Sequence, residues 1–151
     1  MVTLRFMGSS EFQKYFSSAI EDYAHEKILS NNWDPQEAMH KAKQEYEMLL
    51  PDREKTDRND IYNILIEEKI IGMIWLEHKG NDKGFIRDIR ILEKYQGKGY
   101  GQRAMEQIEI IGKERGIKKM GLHVFGHNKV AMGLYEKLGY HTTNVMMIKE
   151  I

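Results

Sequence analysis

Apolar residues along this 151-residue chain recur first with the period of a helix and later with that of a strand. Residues 2–7 are short and rich in strand formers, and they predict an edge strand. Phe12, Tyr15, Phe16, Ala19, Ile20, Tyr23 and Ala24 then fall three and four apart, which predicts a helix over residues 11–29 with one buried face. Asp34, Pro35 and Glu37 follow in the order N-cap, N1 and N3, a capping-box-like start for a second helix that reaches Leu50. Ala38, Ala42, Tyr46 and Leu49 form its apolar stripe. Pro51 helps to stop it, and the charged run 51–59 reads as a mobile loop.

From Asp60 the period changes to that of a sheet. Ile61–Ile66 and Ile70–Glu77 are apolar runs parted by Glu67-Glu68-Lys69, a predicted hairpin. Residues 79–83 make a second turn, and residues 84–92 a third strand of the series. Ala104, Met105, Ile108 and Ile111 mark a helix ending near Gly116. Residues 118–125 read as a strand, 128–138 as a helix, and 140–148 as a terminal strand or strand pair. The order β-α-α-β-β-β-α-β-α-β predicts a single α/β domain over residues 1–151, a mixed sheet with helices packed on it. Met105, Met120, Met132 and Met146 fall at expected core positions.

Composition removes several classes of function. Lys plus Arg and Asp plus Glu number 23 each, so no global field draws the chain to nucleic acid or to an anionic membrane. There are no cysteines, hence no disulfide framework, thiolate metal site or cysteine nucleophile. The six histidines show no pair at a zinc-binding spacing backed by a third ligand, so no metal is expected. The start lacks the pattern of a signal peptide, and the most apolar run, Ile70–Leu76, is too short to span a bilayer; a cytoplasmic protein is expected.

The candidate chemistry centres on Gln96-Gly97-Lys98-Gly99-Tyr100-Gly101, set between a predicted strand and a predicted helix. Alternating glycines leave bare N–H groups at a helix mouth, where the dipole favours phosphate. The spacing matches neither G-x-x-x-x-G-K-S/T nor the dinucleotide fingerprint. By itself the loop fits a tight strand-to-helix turn equally well. Further on, Asn128, Ala131 and Tyr135 lie three and four apart on one helix face, with Gly139-Tyr140 after it. Asn128 suits the helix N-terminus and Tyr135 stands about 10 Å further along the axis.

With these residues in view, the segment Phe85–Tyr140 resembles the GCN5-related N-acetyltransferase (GNAT) superfamily. Its Q/R-x-x-G-x-G/A element matches Gln96, Gly99 and Gly101. Its N-x-x-A-x-x-x-Y-x-x-x-G-F/Y element matches Asn128, Ala131, Tyr135, Gly139 and Tyr140. The resemblance implies an α/β (α+β) fold, a GNAT-like mixed, mostly antiparallel central sheet of six to seven strands flanked by four helices. It implies an acetyl-CoA-dependent N-acetyltransferase that acts by direct attack of an amine, with acetyl-CoA as co-substrate. The acceptor is then a small-molecule amine or a peptide or amino-acid amine. A non-catalytic acyl-CoA-binding module of the same fold is the alternative.

Carried over residue by residue, the resemblance places Gly97, Lys98, Gly99, Tyr100 and Gly101 on the CoA pyrophosphate, with Gln96 alongside. Ile89 and Ile91 would pair through their backbone with the pantetheine arm, and Asn128 would hydrogen-bond it. Glu93 stands where the family often has proline. Tyr135 matches the usual general acid for the leaving thiolate. The base is His123 or Asp88, with Glu77 acting through water as a third choice. Each also fits a structural role: His123 as a core histidine, Asp88 in a pair with Arg90. Trp33, Tyr23 and Tyr46 fit the core, although the family's first helices often line the acceptor pocket. No nucleic acid or membrane partner is implied, and a monomer or homodimer is expected.

Overall fold

The computed structural model describes residues 1–151 and divides them into two compact units. The first comprises Met1–Tyr15 and Leu49–His123 and holds the whole sheet. Its strands are β1 (Val2–Phe6), β2 (Asn59–Ile66), β3 (Lys69–Gly80), β4 (Lys83–Ile91) and β5 (Lys119–Leu122), in spatial order β1-β2-β3-β4-β5. The first four pair antiparallel; β5 runs parallel to β4. A parallel neighbour needs a crossover, and α3 (Tyr100–Glu114) provides it. Ala104, Met105 and Ile108 on α3 are fully buried, and the helix packs on β1 and β4.

Two turns set the register of the meander. Glu67 and Glu68 have φ of 48° and 68°, and Asn81 and Asp82 have φ of 50° and 59°. Positive φ at both central residues suits the twist of a two-residue hairpin. Asn and Asp adopt it readily, whereas the two glutamates hold it against their preference. At Gly72 a Cβ would lie 2.0 Å from the Arg90 carbonyl oxygen, so the close approach of β3 to β4 requires glycine there.

Polar contacts lock the helices of this unit to the sheet. Glu11 accepts the Gly8 N–H at 2.9 Å at the start of α1 (Ser9–Leu29) and the Asn63 side-chain amide at 2.9 Å from β2. The first bond, and then that from Asn63, hold its carboxyl below the usual range against the opposing effect of desolvation. Arg115, at the C-cap of α3, binds the Asp60 carboxylate, which also lies 2.9 Å from His78 Nε2. Burial, and then the nearby Asp60, push the Tyr62 phenol upward.

The second unit comprises Phe16–Met48 and Val124–Ile151. It holds the rest of α1, all but the last residue of α2 (Pro35–Leu49), and α4 (Lys129–Lys137). Ala38, Ala42 and Tyr46 are buried on α2, as the spacing predicts. Phe16 and Tyr23 on α1 meet Tyr46 at ring distances of 6.1 and 5.4 Å, and Tyr23 meets Trp33 edge-on at 5.6 Å. Glu37 serves the start of α2 by pairing with Lys41 at 2.8 Å, which lowers its carboxyl pKa, with the Asp34 N–H a smaller contributor.

The element order agrees with the reading of the pattern through α4, and then departs from it. The sheet has five strands rather than six to seven. Residues 140–148 form no strand, and Met146, expected in the core, is 88% exposed. The segment carries strand-forming residues, but a strand exists only where a neighbour accepts its ladder, and propensity does not supply one. Residues 51–59, read as a loop, contain one 3-10 turn at Arg53–Lys55 and lead into β2 at Asn59.

Candidate active site

In the first unit an unpaired stretch of β4 runs into the glycine loop at the start of α3. β4 pairs with β5 only from Lys83 to Ile86, opposite Lys119 to Leu122. Against β3, Trp75 faces Asp88 while Leu76 faces Ile86, so Arg87 is an extra residue, a β-bulge. A bulge bends its strand and strengthens the twist. β4 therefore leaves β5 at this point, and the edge of residues 87–91 turned away from β3 has no strand partner. Ile89 and Ile91 lie on this stretch, opposite Ile74 and Gly72. His123 is the first residue of the chain beyond the last β5 pair, and its side chain is exposed.

The glycine loop follows directly. Leu92 N–H bonds back to Ile71, and Glu93 opens a single 3-10 turn that closes with Gln96 N–H on the Glu93 carbonyl at 3.1 Å. The Gln96 side chain then donates to the Ile91 carbonyl at 2.8 Å, tying the loop to the end of β4. Gly97 and Gly99 have φ of 75° and 82°, a conformation glycine takes without strain. A Cβ at either would meet no atom within 4 Å. Gly99 is the N-cap of α3 and no side chain caps it. Arg103 N–H returns to Gly99, whereas the N–H groups of residues 97–102 have no backbone acceptor. An uncapped helix N-terminus with free donors and open space above its glycines is what a diphosphate fits. Lys98 is exposed beside it, and Tyr100 begins the helix with its ring 6.4 Å from that of Tyr95.

The charges that interrupt β4 are paired. Arg87 donates to Glu77 at 2.6 Å and lies over the Phe85 ring. Asp88 accepts from Arg90 Nε at 3.0 Å and from the Tyr15 hydroxyl at 2.7 Å. Arg90 lies over the Tyr15 ring in turn. The Tyr15 partner carries no sequence signal beyond its place on an apolar helix face.

The second unit presents Asn128 and Tyr135. Asn128 caps α4, its side-chain oxygen accepting Ala131 N–H at 3.2 Å. At the other end Gly139 has φ of 99°, Gly139 N–H bonds Glu136 at 3.0 Å and Tyr140 N–H bonds Tyr135 at 2.9 Å. This is a Schellman closure, and its apolar contact is the Tyr135–Tyr140 ring pair at 6.1 Å, which orients the half-buried Tyr135. Tyr23, Trp33 and Tyr46 pack on one another, with Phe125 6.4 Å from Tyr23 and Lys27 over both Tyr23 and Trp33. Sequence reasoning passed over His127, whose ring binds the Glu26 carboxylate. Its place one residue before the helix cap was the available signal.

No group of three or more His, Asp or Glu side chains is arranged to hold a metal ion, and no helix is long and apolar enough to cross a membrane. Comparison with known proteins agrees with this architecture. The model of the acetyltransferase (GNAT) family matches residues 20–140. YycN of Bacillus subtilis, described as an uncharacterized N-acetyltransferase, is 35% identical over 96% of this chain and 96% of its own length. Its crystal structure superposes with a TM-score of 0.95, at 33% identity and covering 100% of this chain and 99% of that one. YdgE of the same organism, described in the same terms, is 31% identical over 99% of this chain and 98% of its own. A PaiA N-acetyltransferase from Thermoplasma acidophilum in complex with coenzyme A shares the fold at 18% identity, with a TM-score of 0.72 over 97% and 93% of the two chains. The chain therefore belongs to the GNAT family and is an N-acetyltransferase.

Proposed function

We propose that the protein transfers an acetyl group from acetyl-CoA to a primary amine by direct attack within a ternary complex. The observation that carries this reading is the uncapped start of α3, with the N–H groups of residues 97–102 open beside the unpaired edge of β4. Gly97, Lys98, Gly99, Tyr100 and Gly101 hold the diphosphate through their backbone, and Lys98 adds a charge. Gln96 fixes the loop to Ile91. The backbone of Arg87 to Ile91 pairs with the amide-rich pantetheine arm as an added strand, and Asn128 hydrogen-bonds the same arm. Acetyl-CoA, when bound, supplies an activated acyl carbon with a thiolate leaving group.

His123 takes the proton of the attacking amine. It follows the last β4–β5 pair, where the strands part, and imidazole is the side chain most often used as a general base. Asp88 serves less well, because the same carboxylate oxygen already accepts from Tyr15 and Arg90. A backbone N–H of the Ile89–Ile91 stretch stabilises the oxyanion. The C–N bond forms first to give that tetrahedral oxyanion; as it collapses the C–S bond breaks, and Tyr135 gives its hydroxyl proton to the leaving thiolate. The acceptor is a small-molecule amine or a peptide or amino-acid amine.

An amine-panel assay with mass detection of product and release of free thiol tests the activity. Tyr135→Phe is expected to lower turnover at least about tenfold while CoA affinity stays within about threefold. His123→Ala is expected to remove the acid-side limb of the pH–rate profile, and Asp88→Asn to leave it in place. Unchanged turnover in Tyr135→Phe refutes its role as acid, and an unchanged limb in His123→Ala refutes the base.

A further inference from the structure

Asn128 ends the connection between β5 and α4, a turn closed by two backbone hydrogen bonds. Asn128 N–H returns to Phe125 at 2.9 Å and Lys129 N–H to His127 at 3.0 Å. Gly126 sits inside the turn, and a Cβ there would meet no atom within 4 Å. The helix that follows has nine residues and no buried side chain, too short to hold its position by its own ladder. Its first turn is fixed by contacts from outside the connection.

His127 makes these contacts. Its Nε2 faces the Glu26 carboxylate, and its Nδ1 lies 3.3 Å from the Ser30 hydroxyl. The carboxylate requires a proton on Nε2, so in the neutral ring Nδ1 accepts from Ser30. Both ring nitrogens are thus fastened to the C-terminal end of α1. The Phe125 ring stacks on the imidazole at 5.8 Å, with 16° between the planes, and touches Tyr23 of the same helix. Two side chains of a four-residue turn are anchored on one helix, and the next residue is the α4 cap.

We propose that His127, held by Glu26 and Ser30, is a positioning residue that fixes Asn128 and the first turn of α4 against the C-terminal end of α1. The inference rests on the acetyl-CoA reading above and adds a residue pair to it. Its signature is selective: losing the clamp loosens Asn128 and the first turn of α4, whereas Tyr135 near the other end of the helix keeps its own closure with Tyr140. Both partners are partly exposed, at 38% and 37%, so solvent competes for the pair.

The test uses the full-length protein, steady-state kinetics with an amine acceptor from the panel, and CoA titration by calorimetry. His127→Ala is expected to raise the acetyl-CoA KM and the CoA Kd about five- to tenfold, with kcat at saturation and the acceptor KM within about twofold. Glu26→Gln is expected to act in the same direction and to add little on top of His127→Ala, since both break one contact. His127→Gln, which keeps a donor near Glu26, is expected to recover part of the loss. Faster amide exchange over residues 125–131 in His127→Ala, with the sheet unchanged, reports a loosened turn rather than a failed fold. Wild-type protein that binds CoA, combined with an unchanged acetyl-CoA KM in His127→Ala, overturns the clamp alone. Equal losses in kcat and kcat/KM in that variant overturn it too. Wild-type protein that binds no CoA overturns the donor-site reading and the clamp together.

Discussion

Gly99→Ala separates the binding role of the glycine loop from its conformational role, because α3 carries its own control. Gly99 opens the helix with φ of 82°, and Gly116 follows its C-terminus with φ of 84°. At neither position would a new Cβ meet any atom within 4 Å. The folded-state penalty is therefore backbone strain alone, about 1–2 kcal/mol for an L-residue held in the left-handed region. For a chain of this length each kcal/mol lowers Tm by about 2–4 °C. Both variants are thus expected to melt about 2–8 °C lower, within experimental error of one another.

Their ligand responses should differ. Gly99 lies among the open N–H groups of residues 97–102, and strain there is relieved by rotating those donors out of line. Misaligning one charge-assisted hydrogen bond forfeits about 1.5–3 kcal/mol. The CoA Kd of Gly99→Ala should rise at least about tenfold, equivalent to about 1.4 kcal/mol, while Gly116→Ala binds like wild type. Calorimetric titration with CoA, paired with thermal melts, makes the comparison. Equal CoA affinity in the two variants, at equal loss of Tm, refutes the loop as the diphosphate cradle.

Other expectations concern the frame around the site. Glu11→Ala removes the acceptor of the Asn63 amide, which is 3% exposed, and should cost about 1–3 kcal/mol in urea unfolding. The folded Glu11 pKa lies below its unfolded value, so its ionised form stabilises the fold above about pH 4.3 and this contribution fades as pH falls through the folded value. The wild-type minus Glu11→Gln stability difference should shrink on acidification, and one that grows contradicts the assignment. Gly72→Ala drives a Cβ to 2.0 Å from the Arg90 carbonyl oxygen and should destabilise by about 3 kcal/mol or more, with amide exchange over β3 and β4 rising together. Replacing Glu67 and Glu68 by Asn and Gly suits the positive φ at both and should raise Tm by about 2–6 °C; a lower Tm contradicts the turn assignment.

The helices were legible because period and caps are local. The stripe Ala38, Ala42, Tyr46 buries as spaced, Pro35 opens α2 at N1, and Gly116 and Gly139 close α3 and α4 with positive φ. The glycine loop was legible for the same reason, since bare N–H groups at a helix start follow from glycine spacing alone. Family likeness then joined Asn128 and Tyr135 to it, which no period could do.

What tertiary structure decided were pairings between residues distant in sequence. In the sequence Asp88 fitted either a base or a pair with Arg90, and only the fold brought Tyr15 to it, 73 positions away. The bulge at Arg87 arises from how β3 and β4 register, a relation between two strands that neither sequence contains. Residues 140–148 have the composition of a strand yet lack one, because a ladder needs a partner as well as a propensity. The His127–Glu26 contact spans 101 positions and left only a histidine beside a helix cap as its trace. Local chemistry can be read along the chain, while register, pairing and partner choice are set by which surfaces the fold brings together.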